Sequence, residues 1–366
     1  MTARIPMFDA AAQYRALAPE IDAAVARVLG GKQYILGPEV EAFEAEFARY
    51  CGATHGIGVG NGTEALQLAL LACGVGPGDE VVTSASSSPF TALAIAMTGA
   101  RPVFVDVDAH TYTMAPDAVG AALGPRVRAI VPVHLYGQPA DMDAIFALAR
   151  PRGIRVVEDA CQAHGAEHRG RRVGALADAA AFSFYPTKNL GGVGDGGAVV
   201  TADAEVAARV RMLRDGGRAD RDRHVVRGVN SRLDELQAAI LRVKLRRLDE
   251  WNGRRRALAG LYRDGLASAP VALPFEAPWA RHVYHLFVVR SAARDALRTR
   301  LAADGIDTLV HYPIPLHRQE AFGDAGHASG AFPNAERDAA QVLSLPLFPQ
   351  LADEQVARVC RAIVAG

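Results

Sequence analysis

Lys188 is the residue whose setting asks for chemistry. An apolar run over 179–184 reads as a buried strand, stops at Tyr185-Pro186-Thr187 and hands over to the lysine. A loop follows that carries Gly191, Gly192, Gly194, Gly196 and Gly197. Glycine at that density lets backbone pass close to a ligand and adopt positive φ angles. Desolvation of a lysine among aromatics and glycines lowers its pKa from an ordinary ~10.4 and frees the amine that attacks carbonyls. The chemistry this setting points to is condensation with the aldehyde of a cofactor. Taken alone, a lysine is as readily a solvated surface residue, so the reading rests on what stands beside it.

Three other stretches fall where a parallel sheet collects ligands, beyond the carboxyl ends of its strands. In VVEDACQAHG, Asp159 ends a hydrophobic strand, where an unpaired carboxylate is costly. A protonated ring nitrogen would satisfy it, as in a pyridoxal cofactor whose charged ring absorbs electrons. The alternative is an Asp that caps the next turn. Gln162, three residues on, sits on the same side of a helical turn and reaches a ring substituent. In GNGTEAL (60–66), exposed amides and the helix dipole favour a phosphate at Gly62-Thr63-Glu64, while Asn61 with Glu64 also reads as a helix cap. Ser183, in FSFYPTK, is a further candidate phosphate ligand, or a buried serine bonded to backbone.

The elements that must position these residues alternate. Short β-rich runs at 57–60, 79–83, 102–107, 127–133, 154–159, 180–184 and 197–201 are separated by helical patterns at 63–73, 91–98, 116–123, 141–150 and 204–213. This order predicts a mainly parallel seven-stranded sheet with helices on both faces, preceded by a helical segment up to about Arg49. The last two strands are joined by the lysine loop without a helix, so that pair is expected to be antiparallel. A single amphipathic helix is expected over 233–248, then a strand at 283–289, a helix at 293–303, a second strand at 308–311 and two closing helices. The chain therefore divides near residue 247, into a large α/β domain over 1–246 and a smaller C-terminal α+β domain over 247–366.

Composition narrows the function classes. Forty basic and forty acidic residues cancel, so no global field draws the chain to nucleic acid or membrane. Half of the 366 residues are hydrophobic, yet no apolar run approaches the roughly 18 residues that span a bilayer. The opening MTARIPMFDAAAQY lacks an uninterrupted signal-peptide core, and Cys51, Cys73, Cys161 and Cys360 form neither a disulfide framework nor a metal pattern. The expected compartment is the cytoplasm, with no metal.

Strand, lysine and glycine loop, together with GNGTEAL and EDACQ in this order, resemble the signature of the DegT/StrS-type sugar-nucleotide aminotransferases, enzymes of aspartate aminotransferase fold type I. The resemblance spans nearly the whole chain, through QYILGPEVEAFE, GPGDEVV, PVFVDVD, VPVHLYGQPADMDAI, GVNSRLDELQAAILRVKL, HYPIPLH and SLPLFP. It implies pyridoxal 5'-phosphate as cofactor, with pyridoxamine 5'-phosphate in the second half-reaction. Lys188 looks like the lysine that bonds the cofactor and shuttles protons. Asp159 resembles the ring-nitrogen partner and Gln162 the ring-hydroxyl contact, while Gly62, Thr63 and Ser183 resemble phosphate ligands. Asn230 looks like the residue that reaches the phosphate across a homodimer with shared active sites. Tyr34 and Tyr312 lie where family members approach the sugar nucleotide. One position departs: Ser88 stands where many members place an aromatic over the ring, and Phe90 need not face the same way. The activity implied is amination of a nucleotide-linked keto-sugar, a dTDP-3-keto-6-deoxyhexose, with L-glutamate as donor. UDP-linked 3-keto and 4-keto sugars are the alternatives. A related sugar dehydratase replaces the lysine by histidine, and a non-catalytic regulator would carry a DNA-binding appendage that this chain lacks.

Overall fold

The computed structural model describes residues 4–365; residues 1–3 and 366, the outer ends of the two expected domains, lie outside that span. Seven strands form one sheet: β1 (His55–Val59), β2 (Glu80–Ser84), β3 (Arg101–Val105), β4 (Val127–Val131), β5 (Arg155–Asp159), β6 (Ala179–Ser183) and β7 (Gly197–Thr201). Their spatial order is β1-β7-β6-β5-β4-β2-β3. The pairs β2/β3, β2/β4, β4/β5 and β5/β6 are parallel, and β7 runs antiparallel to both neighbours. The expected antiparallel pair is present, and its hairpin is the Lys188 loop.

Helices cover both faces. On one side α2 (Pro38–Cys51), α5 (Pro116–Ala122), α6 (Met142–Ala149) and α8 (Glu235–Leu245) bury Phe43, Phe47, Val119, Ile145 and Leu241 against Ile130, Ala180 and Phe182 of the sheet. On the other, α3 (Gly62–Ala72), α4 (Pro89–Met97) and α7 (Ala204–Arg214) bury Leu66, Ile95 and Val210 against Val81, Ala129, Ala181 and Val199. Every residue of β2 and β7 is buried, as a sheet covered on both faces requires. Before the sheet, α1 (Ala10–Leu29) is capped by Asp9, whose side chain accepts from Ala12 N, and packs through Leu17, Ile21 and Val28 on α8.

Two expectations fail in the C-terminal third. The helix expected over 233–248 is α8 alone, ending at Leu245; after a turn at Arg246-Arg247, a separate helix α9 (Leu248–Gly265) begins. The break redirects the chain so that Leu258 and Tyr262 reach a second core with Phe287, Leu343 and Val359. The strand expected at 308–311 is no more than a single bridge between Leu309 and Ser344. Pro313 and Pro315 follow directly, and proline gives no N–H to extend a ladder. The partner of β8 (Phe287–Arg290) is instead β9 (Val342–Leu345), antiparallel, lying between α11 (Pro333–Gln341) and α12 (Asp353–Val364). The helix expected at 293–303 is α10 (Arg294–Ala303). Ile5, from the chain's start, packs in this second core and bridges Ile306.

Candidate active site

Strand register assembles the site before any side chain is considered. Gly197 pairs with Val59 on one side and with Ser183 on the other, so the ends of β1 and β6 meet across the start of β7. Asp159 closes β5 beside Ala181. Side-chain alternation then decides which way residues point. Phe182 and Phe184 turn into an aromatic cluster, Phe182 edge-on to Phe47 at 5.0 Å and Phe184 edge-on to Phe43 at 5.2 Å. Ser183, between them, therefore faces the opposite side, where Gly62 opens α3. Asn61 caps that helix, its side chain accepting from Glu64 N at 2.9 Å. A Cβ on Gly62 would stand 2.6 Å from Ser183 Cβ, and one on Gly197 would stand 2.4 Å from the Asn61 carbonyl oxygen. Both positions demand glycine by close approach, and the result is a tight cradle of Gly62, Thr63 and Ser183 at a helix N-terminus.

Asp159 is buried, and among the described residues no cation stands within ion-pair distance of it. Its Oδ2 accepts from Thr91 Oγ1 at 2.7 Å and its Oδ1 from Cys161 N at 3.2 Å. Ser87 stands 3.0 Å behind Thr91; with the Thr91 proton given to Asp159, Ser87 is the donor there. Such a carboxylate has lone pairs left for a positively charged partner. The next residue back, Glu158, points to the other face, where it accepts from buried His134 and from the amides of Gly174, Leu176 and Ala177. Gln162 is held at both ends: Oε1 accepts from Tyr136 N at 2.8 Å, and Nε2 donates to the Tyr312 hydroxyl at 3.1 Å. Tyr312 also bonds Ser88.

Lys188 lies on the turn after β6, its amide donating to the Tyr185 carbonyl at 2.9 Å. Burial pushes its ammonium below the ordinary lysine range, while Cys161 and Asp159 pull the other way. Three imidazoles that feel its charge, His164, His285 and His311, are themselves held neutral, chiefly by burial.

Six of the residues marked in the sequence thus converge at one sheet edge: Gly62, Thr63, Asp159, Gln162, Ser183 and Lys188. Tyr312 joins them through Gln162. Asn230 is exposed on the loop before α8; its neighbour Ser231 accepts from Gly60 N and donates to Glu64, at the start of α3. Tyr34 is 51% exposed, and its hydroxyl donates to the Leu29 carbonyl. Phe90 is 61% exposed on α4. Arg242 clamps α8 to α2 through Glu39 and Glu46. Thr91 carried no signal beyond the run of hydroxyls in TSASSSPFT.

The buried carboxylate with no ion pair among the described residues, the glycine-lined cradle and the desolvated amine fit a phosphorylated pyridine aldehyde. The pattern of the DegT/DnrJ/EryC1/StrS aminotransferase family matches residues 15–364. The dTDP-3-amino-3,4,6-trideoxy-alpha-D-glucose transaminase of Streptomyces venezuelae is 53% identical over 363 residues, covering 99% of this chain and 96% of that protein. The UDP-N-acetyl-3-dehydro-alpha-D-glucosamine 3-aminotransferase of Acidithiobacillus ferrooxidans is 47% identical, covering 98% of this chain and 97% of that one. Among solved structures, S. venezuelae DesV in complex with a ketimine intermediate superposes with a TM-score of 0.98 at 53% identity, covering 100% of this chain and 98% of that chain. NtdA from Bacillus subtilis with bound PMP superposes with a TM-score of 0.91 at 30% identity, covering 100% and 86%.

Proposed function

Because the chain belongs to the DegT/DnrJ/EryC1/StrS aminotransferase family, with the fold type I architecture, we propose that it aminates carbon 3 of a dTDP-linked 3-keto-6-deoxyhexose with L-glutamate as donor. It is a sugar-nucleotide transaminase that uses pyridoxal 5'-phosphate and its pyridoxamine form. The observation that carries the reading is the meeting of a desolvated Lys188 with a buried Asp159 that forms no ion pair among the described residues, at one sheet edge. The deoxyhexose choice follows the 53% identity to the S. venezuelae transaminase, against 47% for the UDP-sugar enzyme.

When bound, the cofactor supplies an aldehyde carbon that exchanges an amino group and a ring that takes up electrons. Asp159 would hold the ring nitrogen, and Thr91 keeps that carboxylate aimed. Gln162 would hold the ring hydroxyl through Nε2. Gly62, Thr63 and Ser183 would hold the phosphate, joined by Asn230 of a second copy in a homodimer. Lys188 Nζ, its proton held less tightly for its burial, takes a proton from the donor's α-carbon and returns it on the far side of the reaction, as general base and then general acid. Tyr34 and Tyr312 would contact the sugar nucleotide. Lys188 at this position speaks against the dehydratase reading. We read 1–246 and 247–366 as separate domains, and the four free cysteines support a cytoplasmic enzyme.

Borohydride should fix the cofactor covalently to Lys188, and Lys188→Ala should lose both this label and transamination, by about a thousandfold or more. A variant that still transaminates at the native rate removes the assignment. Incubation with L-glutamate alone should release 2-oxoglutarate in stoichiometric amount, which a regulator would not do. Mass spectrometry of products from dTDP- and UDP-linked 3-keto and 4-keto sugars then tests the substrate, and preference for a 4-keto or UDP-linked sugar would overturn it.

A further inference from the structure

Of the 40 basic residues in the chain only three are lysines, Lys32, Lys188 and Lys244, and all the others are arginines. Lys32 is exposed between α1 and α2. Lys244, near the end of α8, is 5% exposed and takes no part in the chemistry of the site. Arg255, buried like it, spends its guanidinium on three backbone carbonyls, those of Tyr284, His285 and Leu347. Lys244 has one acceptor among the described residues, the Gly191 carbonyl at 2.7 Å, and no acid within ion-pair distance. Burial alone lowers its pKa from 10.5 to about 8. A single carbonyl suits a compact ammonium better than a planar fork with five donors. An unpaired buried cation is nonetheless a cost to the fold, one that an apolar side chain of the same length avoids. What the cation secures is one backbone atom.

That atom lies in the loop that carries Lys188. Gly192 N donates to the Phe184 carbonyl at 2.7 Å and closes the loop around residues 185–191. A Cβ on Gly191 would stand 2.4 Å from the Pro186 carbonyl oxygen and 2.9 Å from that of Tyr185. Gly191 therefore lies against the turn in which Lys188 N donates to the Tyr185 carbonyl. Seven residues before Lys244, two turns along the same face of α8, Gln237 Oε1 accepts from Val193 N at 2.9 Å. The same side chain leaves no room for a Cβ on Gly192 or Gly194, at 2.6 and 2.8 Å. The helix thus grips the loop at two successive points, Gly191 and Val193.

We propose that Lys244 is a positioning residue for Lys188: its ammonium holds the Gly191 carbonyl, and through it the turn that aims the Lys188 amine, while Gln237 holds the loop two residues on. The proposal rests on Lys188 being the reacting amine. The bond is charge-assisted and so stronger than one between neutral groups. A misplacement of about 1 Å at a reacting group costs roughly a hundredfold in rate, which makes a firm hold on this turn worth a buried charge.

Lys244→Met keeps the length and the apolar stem and removes the donor. In the full-length chain without cofactor, it should speed hydrogen exchange at Gly192 and Val193 about tenfold or more, read by mass spectrometry on fragments within 185–196. Fragments from β7 and α2 should stay within about twofold of the parent. In the holoenzyme, kcat for 2-oxoglutarate release from L-glutamate should fall at least tenfold with KM within about threefold, because the amine moves a proton and does not hold the donor. A merely structural role predicts faster exchange across α8 and the sheet alike, with kcat per folded molecule unchanged. Uniformly faster exchange, an unchanged loop, or a loosened loop with native kcat each overturns the proposal. A second measurement needs no variant at position 244. Lysine-labelled Lys188→Ala contains two side-chain ammonium groups, and that of Lys32, being exposed, exchanges rapidly with water. A nitrogen-15 spectrum near pH 6.5 should therefore show one protected ammonium, that of Lys244, and its absence overturns the proposal. Neither the exchange nor the ammonium spectrum involves the cofactor, so a wrong assignment of Lys188 would appear in the borohydride experiment and leave these results intact.

Discussion

Asp159 shows how much of a catalytic carboxylate's behaviour belongs to its neighbours. Its Oδ2 is held by Thr91, which is held by Ser87, so the direction of its free lone pairs is set two residues away. Thr91→Val keeps the shape and removes the donor. Hydrogen bonds to charged groups contribute about 1.5–3 kcal/mol, so cofactor affinity should fall by roughly tenfold or more. The sign depends on a lost aim: an unchanged dissociation constant from absorbance titration would show that Thr91 plays no part. The sequence marks Asp159 because a carboxylate that ends an apolar strand is conspicuous. It does not mark Thr91, because a threonine in a helix is ordinary until its partner, 68 positions away, is known.

The elements carry a second division of labour. The helix α2 starts at Gly37-Pro38, a pair with no side chain able to cap it. Its open amides are taken by Glu235, from the first turn of α8: Gly37 N at 2.8 Å, Glu39 N at 2.9 Å and Val40 N at 2.9 Å. One buried carboxylate thus caps a helix far away in sequence and fastens it to α8, while Arg242 repeats the link through Glu39 and Glu46. Because α2 supplies Phe43 and Phe47 to the cluster that orients Phe182 and Phe184, this cap is felt at Ser183 and Lys188. Glu235→Ala leaves three buried amides unpaired and should cost about 2–4 kcal/mol, read as a lower urea midpoint. Glu235→Gln keeps one acceptor oxygen and should lose less. Equal losses in the two variants would mean that the cap's acceptors do not matter.

Across the whole molecule, the site is built where the sheet core and the C-terminal core meet, and several buried histidines are kept neutral there. Burial lowers the pKa of His164 and His282 to about 3 and of His311 to about 4, against an ordinary value of 6.5. Below pH 6.5 the unfolded chain takes up protons that the fold refuses, so stability is flat in these groups above that pH and falls as pH drops toward 4. Each such histidine removes up to about 1.4 kcal/mol per pH unit in that window. Urea midpoints should therefore be lower at pH 5 than at pH 7, and His282→Asn, which can still accept from Tyr284 N, should flatten the slope. A slope unchanged by that substitution counts against this origin. The sequence by itself determined the alternation of strands and helices, the antiparallel final pair and the residues at strand ends, because strand periodicity and glycine loops are local properties. The end of α8 at Leu245, the choice of Val342–Leu345 over 308–311 as the partner of β8, and the bonds of Thr91, Glu235 and Lys244 were decided only by tertiary structure. Each depends on groups distant in the chain satisfying one another's buried polar atoms or filling a shared core, and no local pattern encodes that.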